Sequence, residues 1–176
     1  MYARALIIAT IAIAAPAAAQ SRPALGASVE WRSQAGAITT NETARTGVGV
    51  HVFAEGRWSA PIGWRIDAAY AQAHYDSTRT PANFTTSTSI DEHDVELSAL
   101  ARVTLVKRGA WRAFGAAGPV ASWRGSASSV GWGVVAGTRH QRAPGGWAWL
   151  VEGRVLRHVT WSAGGTLVAV SVGVER

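Results

Sequence analysis

From residue 25 onward, apolar and polar positions alternate along most of this chain. The clearest run is Asp94–Leu105, where Val95, Leu97, Ala99, Ala101, Val103 and Leu105 are apolar. Between them stand Asp94, Glu96, Ser98, Leu100, Arg102 and Thr104, of which only Leu100 is apolar. A period of two predicts a β-strand with two unlike faces. The run is long for a soluble strand, where about five or six residues is usual, and it matches the roughly 9–11 that cross a bilayer on a tilt.

Seven further stretches repeat the pattern. Leu25–Gln34, Gly47–Glu55 and Pro61–Tyr75 precede this run; Trp111–Arg124, Val130–Arg139, Trp147–His158 and Thr166–Glu175 follow it. Val48, Val50 and Val52 share one face of the second strand, and Val168, Val170, Val172 and Val174 share one face of the last. Polar residues 35–46 and 76–89 read as long loops, while 56–60 and 107–110 read as short turns. Residues 125–129, 140–146 and 160–165 supply the remaining connections. Pro119 lacks the N–H that a central strand donates, so a bulge or an early strand end is expected there.

Eight antiparallel strands with two unlike faces close into a barrel in one of two ways. In a soluble calycin- or lipocalin-like carrier, the apolar stripes line a cavity for apolar ligands. In an up-and-down transmembrane β-barrel they face lipid, and three patterns favour this second arrangement. Short turns alternate with longer connections over the first half of the chain, as in outer-membrane barrels. Tryptophans fall near strand ends: Trp64, Trp111, Trp147 and Trp149 at one rim with Trp58 in the adjoining turn, and Trp31, Trp123 and Trp132 at the other with Tyr70. Two such girdles are expected where amphipathic rings meet both membrane interfaces. Finally, the polar faces carry both charge signs. Glu30, Arg32, Arg65, Asp67, Glu96, Arg102, Arg112, Glu152 and Arg154 are expected to form an ion-pair network in the lumen, because an unpaired buried charge costs several kcal/mol. Glu55, Asp94, Arg124, Arg139 and Glu175 share those faces, and Gly49, Gly63, Gly118, Gly131, Gly133, Gly137 and Gly173 are expected to leave room for the long arginines.

The ends and the composition sharpen the picture. Arg4, the apolar run Ala5–Ala15 and the small residues Ala17, Ala18 and Ala19 predict a signal peptide over 1–19, leaving 20–176 as one barrel domain in the outer membrane of a Gram-negative-type bacterium. That apolar run is shorter than the roughly 20 residues of a spanning helix. The chain has a net charge of +6, and all its basic residues but Lys107 are Arg, the side chain suited to paired, partly buried carboxylate contacts. The arginines are scattered singly, which argues against a nucleic-acid surface. There is no cysteine, so neither disulfides nor thiolate metal sites are available.

These alternating stripes, terminal tryptophans and mixed-charge inner faces resemble the small eight-stranded outer-membrane barrels of the OmpA/OmpX type. The resemblance implies a structural or surface-interaction role, an interior plugged by charged side chains, and insertion into outer-membrane lipid by the barrel-assembly machinery. It also implies surface ligands met through loops 35–46 and 76–89. One departure is the ending Gly173-Val174-Glu175-Arg176, which lacks the terminal aromatic residue common in the group.

Other candidate chemistry is thinner. His158, Thr160 and Ser162 resemble in part the His-x-Ser arrangement of PagL-type lipid A deacylases, but Thr160 replaces the Ser and Glu175 falls at the far end of its strand. Asp91, Glu92, His93 and Asp94 are metal-ligand types, yet neighbours on a strand point to opposite faces, so at most alternate members converge. Asn41-Glu42-Thr43 and Asn83-Phe84-Thr85 match the glycosylation sequon by chance in a bacterial envelope. No catalytic activity, cofactor or metal is expected.

Overall fold

The computed structural model describes residues 23–35, 45–79, 86–143, 145–158 and 166–176. The predicted signal peptide therefore lies outside the described residues. Eight strands follow one another: β1 (Ala24–Ala35), β2 (Arg45–Ser59), β3 (Ile62–Arg79), β4 (Thr86–Arg108), β5 (Trp111–Arg124), β6 (Ala127–Gln141), β7 (Ala148–His158) and β8 (Thr166–Glu175). Each pairs antiparallel with the next, and β1 pairs with β8 to close the sheet. At that seam Leu25 and Arg176 exchange two backbone hydrogen bonds of 2.8 Å.

The two faces separate as the period of two requires. Val29 is 66% exposed, whereas its neighbour Glu30 is 1% exposed. The valines of β2, β7 and β8 and Val130 and Val134 of β6 lie outside; the arginines and carboxylates between them lie within. A soluble carrier needs the reverse, with its stripes lining the cavity. The fold is an all-β, eight-stranded, antiparallel up-and-down barrel of the transmembrane kind.

The aromatic rims form largely as expected. Trp31, Trp132 and Tyr70 are exposed towards one end, and Trp58, Trp111, Trp147 and Trp149 towards the end that carries the turns at 60–61, 109–110 and 145–146, called the short-turn end below. Trp123 is half-buried. Trp64 is only 9% exposed because its ring lies across Gly56, its register partner on β2.

The strands are longer than the alternation alone indicates. Most of the expected loop 76–89 is a β-hairpin: Asp76 pairs with Ser89, Ser77 with Thr88 and Arg79 with Thr86, leaving 80–85 outside the described residues. Ser and Thr carry no apolar stripe there, but Thr suits the extended backbone and the ladder needs no core beneath it. Residues 56–59 likewise continue β2 through an irregularity between Arg57 and Ser59, and the turn is Ala60–Pro61, with a cis peptide. In the 35–46 connection, Ala35, Arg45 and Thr46 are strand and 36–44 lie outside the described residues.

Pro119 neither ends β5 nor bulges it. It pairs in register with Trp132 on β6. Towards β4 the pairing lapses between Ser98–Val120 and Ala101–Ala117 and resumes in the same register, so the missing N–H costs a local gap. The register shift falls instead between Thr104 and Val106.

The lumenal glycines do a different job from the one expected. A Cβ at Gly118 would overlap the carbonyl oxygen of Ala99, and one at Gly173 that of Ala27, both on the adjacent strand. These two and Gly131 permit close approach of neighbouring strands, whereas the space at Gly133 is taken by Leu156 and Val120 and that at Gly137 by Phe114 and Glu152.

The face assignment is testable at mid-strand. Val151→Arg and Ala99→Arg each should lower stability by about 2–4 kcal/mol, the cost of a cation on the lipid face, in urea titrations of protein folded into vesicles. Two variants of unchanged stability would reverse the faces.

Candidate functional site in the barrel lumen

Residues two apart on a strand share a face, so pairs such as Glu30/Arg32, Arg65/Asp67 and Asp94/Glu96 all enter the lumen. Eight strands leave an interior that side chains just fill. Charges that enter it lose water and must meet an opposite charge from another strand.

At mid-height, Arg65 of β3 is completely buried. Its Nε donates to Asp67 Oδ1 at 2.6 Å, and its Nη2 donates to Glu152 Oε2 of β7 at 2.9 Å, with Nη1 on Oε1 as well. The guanidinium stacks 4.0 Å from the ring centroid of Phe53. Asp67 also holds His51 Nε2 at 2.7 Å and accepts from Ser98 Oγ at 2.7 Å. Ser28 Oγ lies 3.0 Å from His51 Nδ1, which makes a buried Ser–His–Asp chain across β1, β2 and β3.

One level away from the short-turn end, Arg32 contacts Glu30 directly and donates to Glu96 Oε1 at 3.1 Å, with Asp94 at 3.7 Å. Arg154 reaches across the seam from β7 to Glu30 at 3.1 Å and Glu96 at 3.9 Å. Above them Arg124 grips Asp94 with two donors, at 2.5 and 2.9 Å, and donates to Gln34 at 3.3 Å. Near the short-turn end, Arg139 bridges Glu55 and Glu175, and Arg102 Nε sits 3.2 Å from Glu55. Phe114, Leu100, Val135 and Leu150 form an apolar floor there, with Arg102 4.7 Å above the Phe114 ring.

Eight of the nine residues expected in the network are in it: Glu30/Arg32 and Arg65/Asp67 pair along their own strands, and the other contacts run between strands. Glu152 pairs with Arg65, Arg154 with Glu30, and Arg102 with Glu55, so neither Glu152/Arg154 nor Glu96/Arg102 forms a pair. Arg112 is the exception: it faces the short-turn mouth, half-buried, and makes no ion pair among the described residues. Its ladder partners are Lys107 and Arg139, both cations. His51, Ser28, Ser98 and Ser122 join the hydrogen-bond network without a sequence signal beyond their parity.

The other candidates resolve by parity. Glu92 and Asp94 turn towards Arg124, whereas Asp91 and His93 face outward to His74 and Tyr70, so the four do not converge. His158 is buried in the lumen with Nδ1 3.0 Å from Ser122 Oγ; Thr160 and Ser162 lie outside the described residues, and Glu175 is held at the opposite end by Arg139. Outside the barrel wall, on the β3–β4 hairpin, His74 Nδ1 lies 2.9 Å from Asp91. That hydrogen bond, with the charges of Asp91 and Asp76, raises the His74 pKa above its ordinary 6.5.

No protein-family model and no curated protein matches the chain. Solved structures do match in fold. Neisserial surface protein A aligns over 88% of this chain and 96% of its own with a TM-score of 0.63 and 14% identity. The outer membrane protein OprG from Pseudomonas aeruginosa aligns over 87% and 94%, at 0.60 and 9%. Ail, the attachment invasion locus protein of Yersinia pestis, aligns over 88% and 98%, at 0.50 and 12%. These structural neighbours are small outer-membrane β-barrels.

Two outcomes follow from the geometry. Arg65→Leu strands Asp67 and Glu152 in the lumen and should cost about 3–5 kcal/mol by denaturant titration. His74 should titrate above 6.5 by NMR, and Asp91→Asn should return it towards that value. Because the folded pKa is the higher one, the His74–Asp91 contact supports the hairpin at low pH and loses that support as pH rises through the folded pKa.

Proposed function

We propose that this protein is a non-catalytic outer-membrane barrel whose lumen is plugged by its ion-pair network and whose working surface is the β3–β4 hairpin. The observation that carries this reading is the placement of Arg32, Arg65 and Arg154, each buried mid-lumen and paired with carboxylates of other strands. In this reading the three guanidiniums and the hydrogen bonds that hold them close the bore of the eight-stranded barrel to ions.

In this reading the short-turn end is periplasmic, and the β3–β4 hairpin meets the exterior. The signal over 1–19 is cleaved near Ala19, and the barrel-assembly machinery inserts the strands. The hairpin is polar, rich in Ser and Thr and longer than lipid contact requires, as suits a segment that meets partners in water. Ail carries attachment in its name; the same class of role is proposed for this chain through these exposed strands.

Reconstitution into planar bilayers tests the plug. The folded protein should add no discrete conductance steps in concentrated potassium chloride, whereas reproducible single-channel steps would make it a pore.

A further inference from the structure

The charges of the barrel are divided unequally between its ends. At the short-turn end stand Arg57, Lys107, Arg108, Arg112, Arg142 and Arg176, all exposed or half-buried. The only acids there among the described residues are Glu55 and Glu175, both buried and already paired with Arg102 and Arg139. At the other end Asp76, Asp91, Glu92 and Asp94 offset Arg45, Arg124 and Arg157. Most of the net positive charge therefore collects at one mouth, while the mid-lumen pairs cancel.

A pocket of about 290 Å³ opens at that mouth. Arg57, Arg102, Arg112, Arg139 and Arg176 contribute to its wall, with Glu55 and Glu175 beside them. Five guanidiniums against two carboxylates leave a local excess of three positive charges. Arg139, 5% exposed, keeps a buried Nε with no hydrogen-bond partner, and Arg112 and Arg57 have no ion-pair partner among the described residues. Guanidinium forks bind phosphate oxygens two at a time, and several around one pocket favour a multiply charged oxyanion over chloride. The volume suits a phosphate group with a small substituent, at the lower limit of ligand pockets, roughly 300 Å³.

We propose that the short-turn mouth is a binding site for a phosphate group, carried either by a soluble phosphomonoester or by the headgroup of an anionic lipid. Arg112 and Arg57 are its free donors, and Arg102 and Arg139, held by the two glutamates, form its floor. The exposed Trp58, Trp111 and Trp147 mark the membrane interface at this same rim, within reach of lipid headgroups.

The test uses the full folded barrel in dodecyl maltoside micelles, which carry no phosphate. Inorganic phosphate is titrated by calorimetry against chloride at equal ionic strength, and added phosphatidylglycerol is followed by native mass spectrometry. Saturable binding at one site is expected, weakened about tenfold by Arg112→Gln or Arg57→Gln, the loss of one charge-assisted contact. Both residues stand outside the ion-pair network, so the variants fold. Arg157→Gln, on the outer face at the opposite end, should leave binding unchanged. Phosphate binding assigns the site to a soluble ligand; retention of phosphatidylglycerol without phosphate binding assigns it to a lipid headgroup. No saturable binding in either arm, or equal weakening by Arg157→Gln, overturns the proposal.

Discussion

Closing eight strands into a ring removes every sheet edge and leaves an interior with no room for a hydration shell around each charge. The rest of the molecule follows from that confinement. The outer face meets hydrocarbon and is mainly valine, alanine and tryptophan; the inner face has to spend its polar residues on one another. Arg65 satisfies Asp67 and Glu152, and Arg32 and Arg154 share Glu30 and Glu96. The planar, permanently charged guanidinium serves two carboxylates at once, which a lysine point charge does less well. This accounts for a chain whose basic residues are almost all arginine.

The network also ties together strands distant in sequence. Arg154 and Glu30 join β7 to β1 across the seam where the barrel closes, and Arg139 gathers Glu55 of β2 and Glu175 of β8 at the short-turn end. Such contacts form only when the ring is closed in its native register. A slip of one residue would turn each charge towards lipid, so the lumen specifies register as strongly as the apolar stripes do.

Much of this was legible in the sequence, because parity alone assigns a face to every strand residue. Glu30, Arg32, Arg65, Asp67, Glu96, Arg102, Glu152 and Arg154 all lie where alternation puts them. Their partners were not legible: Glu152 meets Arg65 rather than Arg154 because the contact runs across the bore, and strand tilt and stagger decide which levels meet. The hairpin over 76–89 was hidden because Ser and Thr read as loop when no apolar face accompanies them. Pro119 departs from the expected bulge or strand end because the closed sheet tolerates a short lapse in one ladder when the other side of the strand stays paired. Trp64 kept its predicted face, but a glycine across the ladder gave its ring a bed that spacing cannot reveal.

A barrel inserted in a membrane, with its charges inside and its valine stripes outside, is tested most directly by envelope fractionation with gel electrophoresis. The protein should partition with outer membranes, require detergent for extraction, and migrate as a compact band that shifts only after boiling. A freely soluble protein whose mobility does not change on heating would contradict it.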